Sequence, residues 1–158
     1  MRTLVWLRSD IRFDDNPSLK YAFETSDEVI CIYLFSKNQF RAHNDSNTKI
    51  NFITENLKIL GKELDKLNVP LVIKNSNGFN DDPETLISFC KNKKIDTICC
   101  NNLFGIDENK RDLGLKSKLQ ESKINFISFH DQVLYEPGFL KTGEGKPFSV
   151  FTPFKRRW

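Results

Sequence analysis

The residues best equipped for chemistry crowd into one short stretch. Arg8, Asp10, Arg12, Asp14 and Asp15 place five charges within eight residues, directly after the apolar run 3–7. At the end of a buried strand such a cluster does one of two things. It neutralises itself as a salt-bridge network that orders the loop, or it walls a ligand crevice, with Arg8 and Asp10 as the wall. Asp107 and Glu108 open a predicted helix, where carboxylates suit the helix dipole and cap the first turn. Their alternative role is to accept hydrogen bonds from a donor-rich heterocycle. His43 stands in a polar stretch, where an exposed histidine is the default. Lys155, Arg156 and Arg157 read as a solvated basic tail.

These groups need elements to position them. Residues 3–7 (TLVWL) suit a buried parallel strand. Asn16-Pro17 then supplies a cap and a first-turn proline for a helix to Thr25. Residues 28–35 (EVICIYLF) form a second strand, and a polar stretch runs from Ser36 to Asn47. Ile50, Ile53, Leu57, Leu60, Leu64 and Leu67 recur at three and four, which predicts an amphipathic helix over 48–67. Strands at 70–74, 95–100 and 124–129 alternate with helices at 82–93 and 106–121. Five strands alternating with four helices imply an α/β fold: a Rossmann-like open five-stranded parallel sheet with helices on both faces. That unit spans 1–130. An irregular C-terminal extension, 131–158, is broken by glycines and prolines, with aromatic residues between them.

Open sheets of this kind bind ligands at the carboxyl ends of their strands, here the loops 8–16, 35–48, 75–82, 101–108 and 129–137. The first turn lacks G-x-G-x-x-G, so no dinucleotide cradle is indicated, and Glu144 stands where a phosphate loop would carry lysine. No metal spacing and no nucleophile elbow is found. The chain is not an obvious enzyme by itself. Lys+Arg 24 against Asp+Glu 21 gives +3, too little for a nucleic-acid footprint. Cys31, Cys90, Cys99 and Cys100 include no C-x-x-C pair, and adjacent Cys99 and Cys100 point to opposite faces of a strand as small buried residues. With no apolar run of membrane length and no signal peptide, a reduced, cytoplasmic protein is expected.

Two segments carry a family resemblance. LVWLRSDIRFDDNPSL at 4–19 resembles the opening signature of the DNA photolyase/cryptochrome family, and GKPFSVFTPFKRRW at 145–158 is similar to its passage toward a helical flavin domain. The resemblance implies the N-terminal antenna domain of a photolyase acting on cyclobutane dimers. FAD, dimer binding and DNA contact would belong to that helical domain, the implied partner, beyond Trp158. Residues 38–44 (NQFRAHN) resemble the loop of folate-binding members, with His43 on their pterin-contacting histidine and Asn44 beside it. Asp107 and Glu108 fall where those members present an amide and a carboxylate. Glu108 matches, while Asp107 removes a donor and adds a charge. Ser36-Lys37 replaces the Asp-Pro of deazaflavin-type members, which favours methenyltetrahydrofolate as the antenna cofactor. The alternatives are the same domain of a signalling cryptochrome, a standalone nucleotide or flavin module, and a cut piece without activity of its own.

Overall fold

The computed structural model describes residues 1–120 and 122–158. In chain order the elements are β1 Arg2–Leu7, α1 Pro17–Thr25, β2 Glu28–Phe35, α2 Lys37–Ala42, α3 Asn47–Asp65 and β3 Leu71–Asn75. They continue with α4 Asp82–Lys93, β4 Thr97–Asn101, α5 Ile106–Leu119, β5 Asn125–Phe129 and α6 Phe151–Arg157. The strands form one parallel sheet in the order β3-β2-β1-β4-β5. The expected helix over 106–121 ends at Leu119, and Glu121 lies outside the described residues.

Burial follows strand position. β1 and β4, at the centre, are buried almost throughout, as their unbroken apolar runs require. The edge strands β3 and β5 contain exposed residues. Leu4, Trp6, Ile32, Ile98 and Cys100 face α4 and α5 on one side, through Leu86, Cys90 and Leu115. Val5, Leu7, Cys31, Tyr33 and Cys99 face α1 and α3 on the other, through Leu19, Leu57 and Leu64. Cys99 and Cys100 thus do point to opposite faces, each wholly buried. The direction in which successive strands are laid down reverses between β1 and β4, and there the connections part into a crevice at the strands' carboxyl ends.

Two stretches depart from expectation. Within the polar stretch 36–47 the structure has α2, because Ser36 caps it by accepting from the Gln39 amide at 3.2 Å. Phe40 then anchors the helix, packing edge-on against Phe35. The extension 131–158, expected to be irregular, contains α6. Pro153 sits in its first turn, where a missing N–H costs nothing. α3 also ends at Asp65, which leaves Leu67 exposed rather than on the apolar face.

Candidate functional site

The first loop is held from outside itself. Arg8 donates its Nη1 to Asp112 Oδ2 of α5 at 2.5 Å and its Nη2 to the Asn101 carbonyl. The Arg8 amide donates to Asp10 Oδ1 at 2.7 Å, and Asn101 Nδ2 donates to Asp10 Oδ2 at 2.6 Å. Asn101 also donates to Asn16 Oδ1 at 2.8 Å and accepts from the Ser18 amide at 3.1 Å. Arg12 reaches Asp131 at 2.6 Å. The self-neutralising network is therefore corrected: the arginines' ion-pair partners come from α5 and from the segment after β5, and Arg12 meets Asp15 only at its backbone carbonyl, 2.7 Å away. Arg8 and Asp10 are both buried and both line the crevice.

That crevice has a volume of about 570 Å³. α2, the start of α3, the loop before α5 and the first turns of α5 contribute to its lining, which includes His43, Asp45, Phe52 and Glu108. His43 is the C-cap of α2 and packs on Phe79, ring centroids 5.3 Å apart. Glu108, in the first turn of α5, curls back over Gly105, where a Cβ would come within 2.0 Å of Glu108 Oε2. Asn44 is absent from the lining. It takes a left-handed conformation (φ 53°) just past the end of α2, which is how asparagine terminates a helix. Asp107 lies instead in a separate shallow depression with Asn80, Pro83 and Lys110. The structure therefore brings His43, Glu108, Arg8 and Asp10 together and sets Asn44 and Asp107 apart.

Sequence reasoning passed over the crevice floor. Trp6, read only as a strand residue, lies under both arginines: Arg111 is 4.4 Å and Arg8 is 4.9 Å from its ring centroid. Desolvated contacts of this kind are worth about 2 kcal/mol. Arg111 also pairs with Asp112 at 2.9 Å and faces Asp82 at 3.6 Å. Asp82, read as a helix-start residue, accepts from the Ser76 hydroxyl. Burial pushes its carboxyl above the ordinary range, against the pull of Ser76 and Arg111. A signal existed for two of these residues. Glu108, Arg111 and Asp112 stand at i, i+3 and i+4, and so share one face of α5.

A doubly wound parallel sheet with a crevice at its switch point is the architecture in which open α/β domains bind their ligands. The family model described as DNA photolyase matches residues 3–158, and the chain belongs to that family. It is 33% identical over 157 residues to the deoxyribodipyrimidine photo-lyase of Buchnera aphidicola subsp. Acyrthosiphon pisum, covering 99% of this chain and 32% of that protein. The corresponding enzyme of Vibrio cholerae is 32% identical, covering 98% and 33%. The chain thus spans about a third of the length of these relatives. Among solved structures, a bacterial class III photolyase from Agrobacterium tumefaciens superposes with a TM-score of 0.78 at 28% identity, covering 98% of this chain and 31% of that one. An archaeal photolyase from Sulfolobus tokodaii, reported with two FAD molecules and the implication of a novel light-harvesting cofactor, gives 0.78 at 24% over 90% of this chain and 32% of that one. A Synechocystis cryptochrome gives 0.82 at 21%, over 99% and 33%. At these identities the last two show the fold alone. Among the described residues no helix is long and apolar enough to cross a membrane.

Proposed function

We propose that this domain is the light-harvesting antenna half of a deoxyribodipyrimidine photolyase. It holds a chromophore in the crevice, and light-driven dimer splitting belongs to a helical flavin domain that carries FAD and the DNA contacts. The observation that carries the reading is that His43 and Glu108 line one crevice, although they come from opposite halves of the sheet. The crevice fits a chromophore of this size: 570 Å³ lies within the usual range of about 300–1,000 Å³ for small-molecule sites. Its lining mixes aromatic rings with a few polar groups.

The chromophore of this reading is methenyltetrahydrofolate, which supplies absorption at wavelengths that protein side chains do not reach. His43, fixed against Phe79, offers a ring face and a nitrogen to the pterin, and the Glu108 carboxylate accepts from pterin N–H groups. Asp107 and Asn44 support these two from outside the crevice, Asp107 from the first turn of α5 and Asn44 by ending α2 beside His43. Arg8 and Asp10 hold the wall behind them. A cytoplasmic setting agrees with four free, buried thiols.

Titrating the chain with methenyltetrahydrofolate and following its absorption tests the reading. Binding that weakens at least tenfold in both His43→Ala and Glu108→Ala supports it, and binding indifferent to both contradicts it. A flavin antenna is the second reading, favoured by the aromatic and cationic lining at Trp6 and Arg8 and in keeping with the two FAD molecules reported in the Sulfolobus tokodaii photolyase. Retention of a flavin in preference to the folate would select it. A signalling cryptochrome shares this domain, and dimer-repair activity of the intact protein separates the two.

A further inference from the structure

Arg111 and Tyr33 on the crevice floor have hydrogen-bonding capacity that the protein leaves unused, as does the enclosed Nε of Arg8. The Arg111 side chain is 3% exposed, and its guanidinium is held between the rings of Trp6 and Phe79, 4.4 and 5.5 Å from their centroids. Its Nε donates to Asp112 Oδ1 at 3.0 Å. Nη1 stands 3.6 Å from Asp82 Oδ2, longer than a hydrogen bond, and Nη2 approaches Asp112 Oδ1 without hydrogen-bond geometry. Tyr33 is 6% exposed and lines the same crevice, and its hydroxyl has no hydrogen-bond partner among the described residues. Burial pushes that phenol up to about 12, so the hydroxyl stays neutral and able to donate. Arg111 Nη2 is fully enclosed, whereas the Tyr33 hydroxyl and Arg111 Nη1 are not, so these two donors open onto the cavity, where a ligand's acceptors can meet them.

The cations around them already have carboxylate partners. Arg8 pairs with Asp112, Arg111 lies against Asp82 and Asp112, and Asp10 sits beside Arg8. On the floor two guanidiniums thus face three carboxylates, and the crevice's other cations, Arg12 and Lys49, are paired with Asp131 and Asp45, so an entering phosphate or carboxylate would meet repulsion from the acids. A neutral acceptor meets none. We propose that Arg111 and Tyr33 select the chromophore by donating hydrogen bonds to a neutral, carbonyl-bearing edge of its ring system, leaving any anionic tail outside the crevice. The inference rests on the antenna reading and names what that site recognises. A pterin lactam and an isoalloxazine dione both present such an edge, so the test has an arm for each.

The chain is titrated with methenyltetrahydrofolate and, separately, with riboflavin, using the unaltered sequence, Tyr33→Phe and Arg111→Lys, with inorganic phosphate as competitor. One ring system binds the unaltered chain and thereby identifies the source. Tyr33→Phe weakens that ligand about fivefold with an unchanged melting temperature, because the hydroxyl holds no bond within the protein. Arg111→Lys keeps the charge beside Asp82 and Asp112 but loses the planar fork, and weakens binding about tenfold or more. Millimolar phosphate has no effect. Displacement by phosphate, or binding unchanged in both variants, overturns the inference and leaves the antenna reading standing. Failure of both ring systems to bind the unaltered chain overturns the inference and the antenna reading together.

Discussion

Asn101 shows how a single side chain couples the two halves of the sheet. Wholly inside at the end of β4, it donates to Asp10 and Asn16, accepts from the Ser18 amide, and lends its carbonyl to Arg8. Asn101→Ala strands a buried carboxylate and a buried amide, each costing about 1–3 kcal/mol. Unfolding in urea should therefore show a loss of about 3 kcal/mol, and a loss below about 1 kcal/mol would deny Asn101 this bridging role. Gly105 offers a contrasting residue-scale test. The nearest atoms a methyl there would meet belong to the end of the flexible Glu108 side chain. Gly105→Ala should leave the melting temperature within a few degrees but weaken chromophore binding as Glu108→Ala does. Equal binding by Gly105→Ala and the unaltered chain would show that the folded-back carboxylate is not the one the ligand uses. Neither role was legible in the sequence, since Asn101 reads as the end of a strand and Gly105 as a loop residue.

Among the elements, the long periodic ones were legible and the short capped ones less so. α1, α3 and α4 announce themselves through apolar spacing and start signals, Asn16-Pro17 and Asp82-Pro83 among them. α2 is six residues long, too short for a period, and its only trace is Ser36 three residues before Gln39. α6 hid behind its proline for a similar reason. The charged loop after β1 was recognised as unusual, but its partners Asp112 and Asp131 lie more than a hundred residues away in sequence and only the sheet order brings them near. The end of α4 gives a prediction at this scale. Lys94 caps the helix in the left-handed region at φ 53°, where a Cβ is unfavourable. Lys94→Gly should raise stability by about 0.5–1 kcal/mol in chemical denaturation, and a loss would mean that the lysine side chain contributes something the cap geometry does not require.

At the scale of the molecule, the buried titratable groups set the alkaline limit. Burial pushes the thiols of Cys31, Cys90 and Cys100 up to about 12 from an ordinary 9.0, raises Cys99 in the same direction, and lifts the Tyr33 phenol to about 12. Each favours its neutral form when folded. The stability they contribute is complete below pH 9 and is lost as pH rises toward 12, because the unfolded chain ionises first. Each group costs up to about 1.4 kcal/mol per pH unit in that window. The urea midpoint should hold steady from pH 7 to 8.5 and then fall. A flat profile to pH 11 would show that these thiols ionise in place. The extension forms the opposite extreme: Leu134, Phe139, Val150, Phe151 and Trp158 are all exposed. In a chain spanning about a third of its relatives' length, such a surface suits the proposed helical partner domain.

The central claim is that the crevice holds a light-absorbing cofactor. The direct measurement is the near-ultraviolet and visible spectrum of the purified chain after incubation with methenyltetrahydrofolate and gel filtration. The account predicts a folate band that travels with the protein and is lost in His43→Ala and Glu108→Ala. A protein peak that carries neither a folate nor a flavin band, at concentrations where the chain is folded, would contradict it.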